Sequence, residues 1–396
     1  MTQDLQIDFT DPAFQNDPHP VYAQMRRTGP VRRVRLPNGM HAWLVTRYDD
    51  ARRALADPRL SKSLLAVGGA SGGQLNLIAP ISRHMLAVDP PDHTRLRRLV
   101  SAAFTARRIE ALRPRIEEIT TELLDALDGR DEVDLIDTFA FPLPIQVICE
   151  LLGVPAADRD AFREWSNDIV AGSLAGERLA SSIQAMVGYI GSLIADRAEH
   201  GGDDLLSGLV QVRDEGDRLS GEELSSMVFL LLIAGHETTV NLIGNGTWLL
   251  LADRERWERL RADRALLPSA IEEFLRYEGP VETSTFRIAT ESLEIDGVTI
   301  AAGDPVVVVL LSANRDEDRF PAAGEVHLDR PHNTHLAFGH GIHYCLGAPL
   351  ARLEAQIAFT ALLDRFPGLR LATSSDELAW RPGILLRGLR ELPVRW

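Results

Sequence analysis

From Ser220 to Ala252 the chain keeps helical spacing for about thirty residues, well beyond the usual globular helix, and the run opens on two start signals. Ser220 with Glu223 forms a capping box, and Leu219 and Leu224 stand at the two staple positions. A helix of that length crosses a whole domain, so the rest of the fold has to be built around it. Its most apolar part, Met227 to Leu251, is interrupted by His236, Glu237, Asn241 and Asn245, and a carboxylate near the middle of a bilayer span is costly. The stretch therefore reads as a buried helix and not as a membrane anchor.

Most of the remaining chain is also helical in period, notably Arg108 to Leu127, Gly176 to His200 and Ala348 to Phe366. Strands are few. Val31 to Leu36 and His41 to Thr46 make a hairpin across Pro37-Asn38-Gly39, and Leu293 to Ile295 pairs with Val298 to Ile300 around Asp296-Gly297, followed by the β-branched run Val306 to Val309. The fold class is mainly α with small β-sheets. No repeat, low-complexity stretch or long linker divides residues 1–396, so one domain is expected.

Formal charge is −15, from 57 acidic and 42 basic residues, which repels phosphate backbones and anionic lipid. Nucleic acid and membrane partners are not expected. Only Cys149 and Cys345 occur, and Cys149 lies in the apolar run Leu143 to Cys149, which reads as core, so a disulfide framework is not expected. The start, Met1 to Asp8, has neither a basic n-region nor an apolar h-region; a cytoplasmic location fits both observations.

The other cysteine stands in Phe338-Gly339-His340-Gly341-Ile342-His343-Tyr344-Cys345-Leu346-Gly347. A thiolate serves as a metal ligand where backbone donors reach it, and the glycines allow a tight turn before the sulfur and a close backbone approach after it. This run resembles the haem-ligand loop of the cytochrome P-450 family, Phe-Gly-x-Gly-x-His-x-Cys-x-Gly, at every fixed position. The similarity extends over nearly the whole chain, from about Asp17 to Trp396. It implies a single triangular-prism-like P-450 domain with haem b between the long central helix and the helix after the cysteine. Cys345 would be the metal ligand, with Phe338, Gly347 and Ala234 against the cofactor.

Within the long helix, Ala234 and Thr238 share a face, and a threonine hydroxyl there can bond the carbonyl four residues back and open a groove. An isolated Glu-Thr pair in a helix means little. Beside the cysteine loop it resembles the family's Ala/Gly-Gly-x-Asp/Glu-Thr motif, which implies proton relay by Glu237 and a hydrogen bond to activated oxygen from Thr238. His93 and Arg97, one helical turn apart, offer two donors, and arginine forks suit carboxylates. The resemblance assigns His93, Arg97, Arg287 and His343 to the two haem propionates. Glu273 and Arg276 resemble the family's buried Glu-x-x-Arg pair, with Arg330 as the third, structural member. The segment Val326-His327-Leu328-Asp329-Arg330 departs from the common Phe-Asp-x-x-Arg.

The implied activity is monooxygenation, inserting one atom of O2 into a C–H or double bond of a bulky apolar molecule. Electrons would come from a ferredoxin and its reductase, with Arg95, Arg98, Arg107 and Arg108 as a local basic patch and the enzyme a monomer. A haem-thiolate protein that binds ligand without turnover, and a haem enzyme of redox-neutral rearrangement, are the competing readings. The motifs look like those of actinobacterial macrolide and polyketide hydroxylases, with steroid or terpenoid oxidisers the next choice. Leu86, Leu232, Val281, Glu282 and Ile384 are the expected substrate contacts. The glycine-rich stretch inside Ser61 to Val88 reads as a mobile lid without a carboxylate, which leaves Glu282 as the one acid placed to read a substrate amine.

Overall fold

The computed structural model describes residues 7–37, 39–63, 81–171, 176–211 and 217–396. Most of the lid, 64–80, lies outside the described residues. The described chain forms two compact units: Met1–Lys62, Thr120–Ala140 and Thr238–Trp396 make the first, Ser63–Ile119 and Phe141–Glu237 the second.

In the first unit a five-stranded sheet has the order β1 (Val31–Arg35), β2 (His41–Val45), β8 (Pro305–Val308), β5 (Arg287–Ala289), β3 (Leu60–Ser61). Only the β2–β8 pairing is parallel. Side chains alternate across a strand, and the two cores follow from that: Trp43, Val45, Val306 and Val308 pack with Tyr48, Ala51 and Leu55, while Ala42, Leu44, Val307 and Val309 pack with Phe14 and Tyr22. The second predicted hairpin is β6 (Leu293–Ile295) with β7 (Val298–Ile300). Its turn puts Asp296 and Gly297 at φ of 50° and 72°, the left-handed pair such a two-residue loop requires. A third small sheet orders β4 (Glu132–Asp134), β10 (Pro393–Arg395) and β9 (Arg370–Leu371). The helix after the cysteine spans Ala348–Arg365.

The second unit is helical, with helices Asp92–Ala103, Pro142–Leu151, Arg159–Ala171 and Arg178–His200 among its members. Cys149 is buried on the second of these. The long helix spans Gly221–Leu251, and its capping box is formed: the Ser220 N–H donates to Glu223 at 2.8 Å and the Glu223 N–H to Ser220 Oγ at 3.2 Å. Among the described residues it is the one helix long and apolar enough to cross a membrane, yet 67% of its most apolar window is buried inside the protein, as an interior helix requires. One expectation fails in detail. The helix read over Arg108 to Leu127 is two helices, Ala106–Ala111 and Arg113–Asp125, because Pro114 has no N–H for the carbonyl of Glu110 and can only begin a new helix.

Candidate active site

The cysteine loop is shaped by its glycines. Gly339 and Gly341 have φ of 76° and 75°, and a Cβ on Gly341 would stand 3.2 Å from Ala56 Cα and Leu55 O, so the loop lies directly on the end of the Tyr48–Ala56 helix. The Cys345 N–H donates to the Phe338 carbonyl at 2.9 Å, closing the loop on itself. A Cβ on Gly347 would reach 3.9 Å from Cys345 Sγ. Helix Ala348–Arg365 begins three residues past the sulfur, so the positive end of its dipole favours the thiolate. Unlike Cys149, Cys345 is exposed, in company with Ile342 and Tyr344.

This donor set fits a haem. Cys345 offers a single thiolate, the ligand type that holds haem iron, whose other ligands come from the macrocycle. Arg287, on β5, is buried at 5% exposure, and an arginine fork suits a carboxylate. His343 is half-buried in the Gly341–His343 turn. In the second unit, His93 is buried at 2% exposure on helix Asp92–Ala103, with Arg97 half-buried one turn on.

Behind the loop, Glu273 and Arg276 are both fully buried on helix Leu267–Tyr277. Arg276 grips the Glu273 carboxylate with two bonds of 2.8 Å, and Arg330 Nε adds bonds of 3.1 and 2.9 Å. Two further donors, without a signal in the motif, complete the shell: the His327 N–H at 2.9 Å and Asn333 Nδ2 at 3.1 Å. Leu328 is buried and Asp329 turns outward to Arg259 at 2.6 Å, which accommodates the unusual sequence of this segment. The neighbouring acid, Glu272, bonds Arg352 at 2.7 and 2.8 Å and His335 at 3.0 Å. Burial works against its ionised form, but those bonds prevail and hold its pKa down to about 2. Arg352 also stacks over the Phe338 ring at 4.5 Å. Adjacent acids at 272 and 273 were the available signal for this second anchor.

On the long helix, Ala234 is exposed and Thr238 half-buried, whereas Leu231, Leu232 and Val240 are buried. Glu237 is buried at 2% exposure. Leu86 is half-buried. The segments that carry Val281 and Ile384 pair with one another: Val281 bridges Leu386, and Thr283 Oγ1 donates to the Ile384 carbonyl at 2.7 Å. Glu282, between them in sequence, points elsewhere. It is buried, and Tyr22 donates its hydroxyl to Oε1 at 2.5 Å; burial pushes the carboxyl pKa up to about 7. Arg95 is likewise committed, to Asp217 and Glu223, so the basic surface near it rests on exposed Arg98, Arg107 and Arg108.

A cytochrome P450 family model matches residues 178–378. The chain is 53% identical to cytochrome P450 107B1 of Saccharopolyspora erythraea, over 97% of its own length and 96% of that relative's. It belongs to the cytochrome P450 family. The fold agrees: the tirandamycin C-bound P450 monooxygenase TamI superposes with a TM-score of 0.91 at 50% identity, covering 99% of each chain. The bacillaene polyketide synthase P450 PksS of Bacillus subtilis 168 gives a TM-score of 0.93 at 42% identity, covering 98% of this chain and 99% of its own. This P450 is a haem-thiolate monooxygenase.

Proposed function

We propose that this P450 oxidises a bulky, uncharged macrolactone or related polyketide. The observation that carries the reading is the direction of Glu282: its carboxyl is turned into Tyr22, while the flanking segments, which carry the half-buried Val281 and Ile384, expose the apolar Phe286 and Leu385. Such a surface selects by apolar shape, and Glu282, turned to Tyr22, does not offer it a counter-ion for an amine. TamI, bound to tirandamycin C, and PksS, a polyketide synthase P450, support the class.

Haem b, bound through the Cys345 thiolate, supplies dioxygen activation and transfer of one oxygen atom. The chain does the rest. His93, Arg97, Arg287 and His343 bind the propionates, and Phe338, Gly347 and Ala234 lie against the macrocycle. Ala234 leaves room beside the helix for dioxygen and substrate. Glu237 passes protons inward from water, and the Thr238 hydroxyl is the last donor of that relay. Leu86, half-buried, adds apolar contact, whereas Leu232, fully buried, packs in the core. We further propose one catalytic domain over 1–396, a cytoplasmic monomer, and electrons from a ferredoxin and its reductase through the exposed Arg98, Arg107 and Arg108.

The test is a titration of the haem-loaded protein with neutral macrolactones, sterols and amine-bearing macrolides, following the spin-state change of the iron, and then turnover with product analysis. Macrolactones should shift the spectrum and gain one oxygen. Turnover of sterols with no response to any macrolactone would overturn the substrate class, and absence of the thiolate-type carbonyl band would falsify Cys345 as the ligand.

A further inference from the structure

His236 stands between Gly235 and Glu237 in the helix motif, and no role has so far been assigned to it. Its ring is fully buried, and both nitrogens are engaged in different directions. Nδ1 lies 2.8 Å from the Leu232 carbonyl, one turn back on the same helix. Nε2 lies 3.0 Å from Ser166 Oγ, on helix Arg159–Ala171, and Ser166 is itself fully buried. A ring nitrogen facing a carbonyl has to carry the proton, so in the neutral ring Nε2 is the acceptor and the Ser166 hydroxyl donates. That bond leaves each ring nitrogen with one defined partner.

The remaining face of the ring is also held. Phe141 meets it edge-on, with centroids 5.9 Å apart at 81°, and the Arg163 guanidinium covers Phe141 at 4.4 Å. One residue earlier, a Cβ on Gly235 would come 3.0 Å from Ile148 Cδ1, so the helix packs closely on Pro142–Leu151 and a side chain there would push Ile148 aside. Successive motif residues thus differ in their surroundings: Ala234 is exposed, Gly235 packs on one helix and His236 bonds another.

The Leu232 carbonyl is the one that accepts the His236 N–H in a regular helix. Shared with the imidazole, it is pulled by two donors, and side-chain bonding of this kind to the carbonyl four residues back bends a helix. The bend would fall within the turn that ends at Glu237. We propose that His236 is a positioning residue: tied to Ser166 and to the Leu232 carbonyl, it sets the backbone that carries Glu237 and, next in the chain, Thr238. This rests on the relay role given to those two side chains. It makes Ser166, which does not lie in the motif, part of the same device.

Four variants of the full-length, haem-loaded protein test it. Ser166→Ala removes only the hydroxyl, Ser166→Thr returns it, His236→Phe keeps a flat ring while losing both bonds, and Glu237→Gln serves as the reference for relay loss. Amide hydrogen exchange without substrate should speed up about fivefold to tenfold in peptides covering both 160–168 and 232–238 for Ser166→Ala and His236→Phe, and stay at the native rate for Ser166→Thr. Product formed per reducing equivalent should fall by a similar factor in Ser166→Ala and His236→Phe, with peroxide rising, and recover in Ser166→Thr. Glu237→Gln should lose coupling with unchanged exchange. Faster exchange confined to 160–168 in Ser166→Ala, or native coupling in spite of faster exchange, would show His236 to be a packed core residue and overturn the proposal. Native coupling in Glu237→Gln would instead overturn the relay reading, with the exchange data still judging the clamp.

Discussion

Glu282→Gln should make the protein less sensitive to alkaline pH. Glu282 is buried beside Tyr22, and Arg387 and Glu278 are the charges that act on it. Burial raises its pKa from 4.5 to about 7; the Tyr22 bond and Arg387 pull the other way, and Glu278 adds to the rise. Between those two values the folded state holds a proton that the unfolded chain has released, so stability falls as pH rises, and the loss is complete once pH passes the folded pKa. From pH 5 to pH 8 the cost amounts to about 2–3 kcal/mol, at 1.36 kcal/mol for each unit of pKa difference. Glutamine does not titrate. Any fixed cost of the substitution, such as an unmet amide donor, offsets both ends of the pH range equally. Urea unfolding of wild type and variant at pH 5, 6, 7 and 8 should therefore give free energies that diverge by that amount in favour of the variant. In thermal scans of a chain this long the divergence is about 3 °C. Parallel pH profiles for the two proteins would refute the reasoning, since they would mean that Glu282 ionises alike in the folded and unfolded states.

Thr238→Ala should leave haem content and substrate binding intact while product per reducing equivalent drops about tenfold or more and peroxide rises; fully coupled turnover would remove Thr238 from the relay. Glu273→Gln leaves the buried Arg276 and Arg330 guanidiniums without their anion and should cost about 3–5 kcal/mol, read as a lower urea midpoint and a smaller yield of haem-loaded protein. An unchanged midpoint would contradict the assigned weight of that cluster.

The features legible in the sequence are those whose cause lies within a few residues. Ser220 and Glu223 meet across one turn, and Asp296-Gly297 makes its own hairpin, so both were readable and both are present. Pro114 is equally visible in the sequence; apolar periodicity runs straight across it, and the missing N–H ends one helix and begins the next. Glu282 shows the opposite limit. Its position beside the substrate segment could be read, but the direction of its side chain depends on Tyr22, 260 residues away, and no local pattern reports that.

The cysteine loop joins the two cases. Its glycines announce a tight turn, yet they also make the free loop floppy, and a thiolate that wanders is a poor ligand. The restraint comes from outside the motif, from two consecutive acids. Neighbours on a helix point about 100° apart, so Glu273 faces the segment ahead of the loop, through His327, Arg330 and Asn333, while Glu272 faces His335 at its entry and Arg352 in the helix beyond it. Arg352 in turn covers Phe338, whose carbonyl receives the Cys345 N–H. One short stretch of helix Leu267–Tyr277 thus holds the chain on both sides of the sulfur. On this arrangement a substitution at Glu272 should disturb the geometry of the thiolate, whereas one at Glu273 should disturb folding of the segment before it.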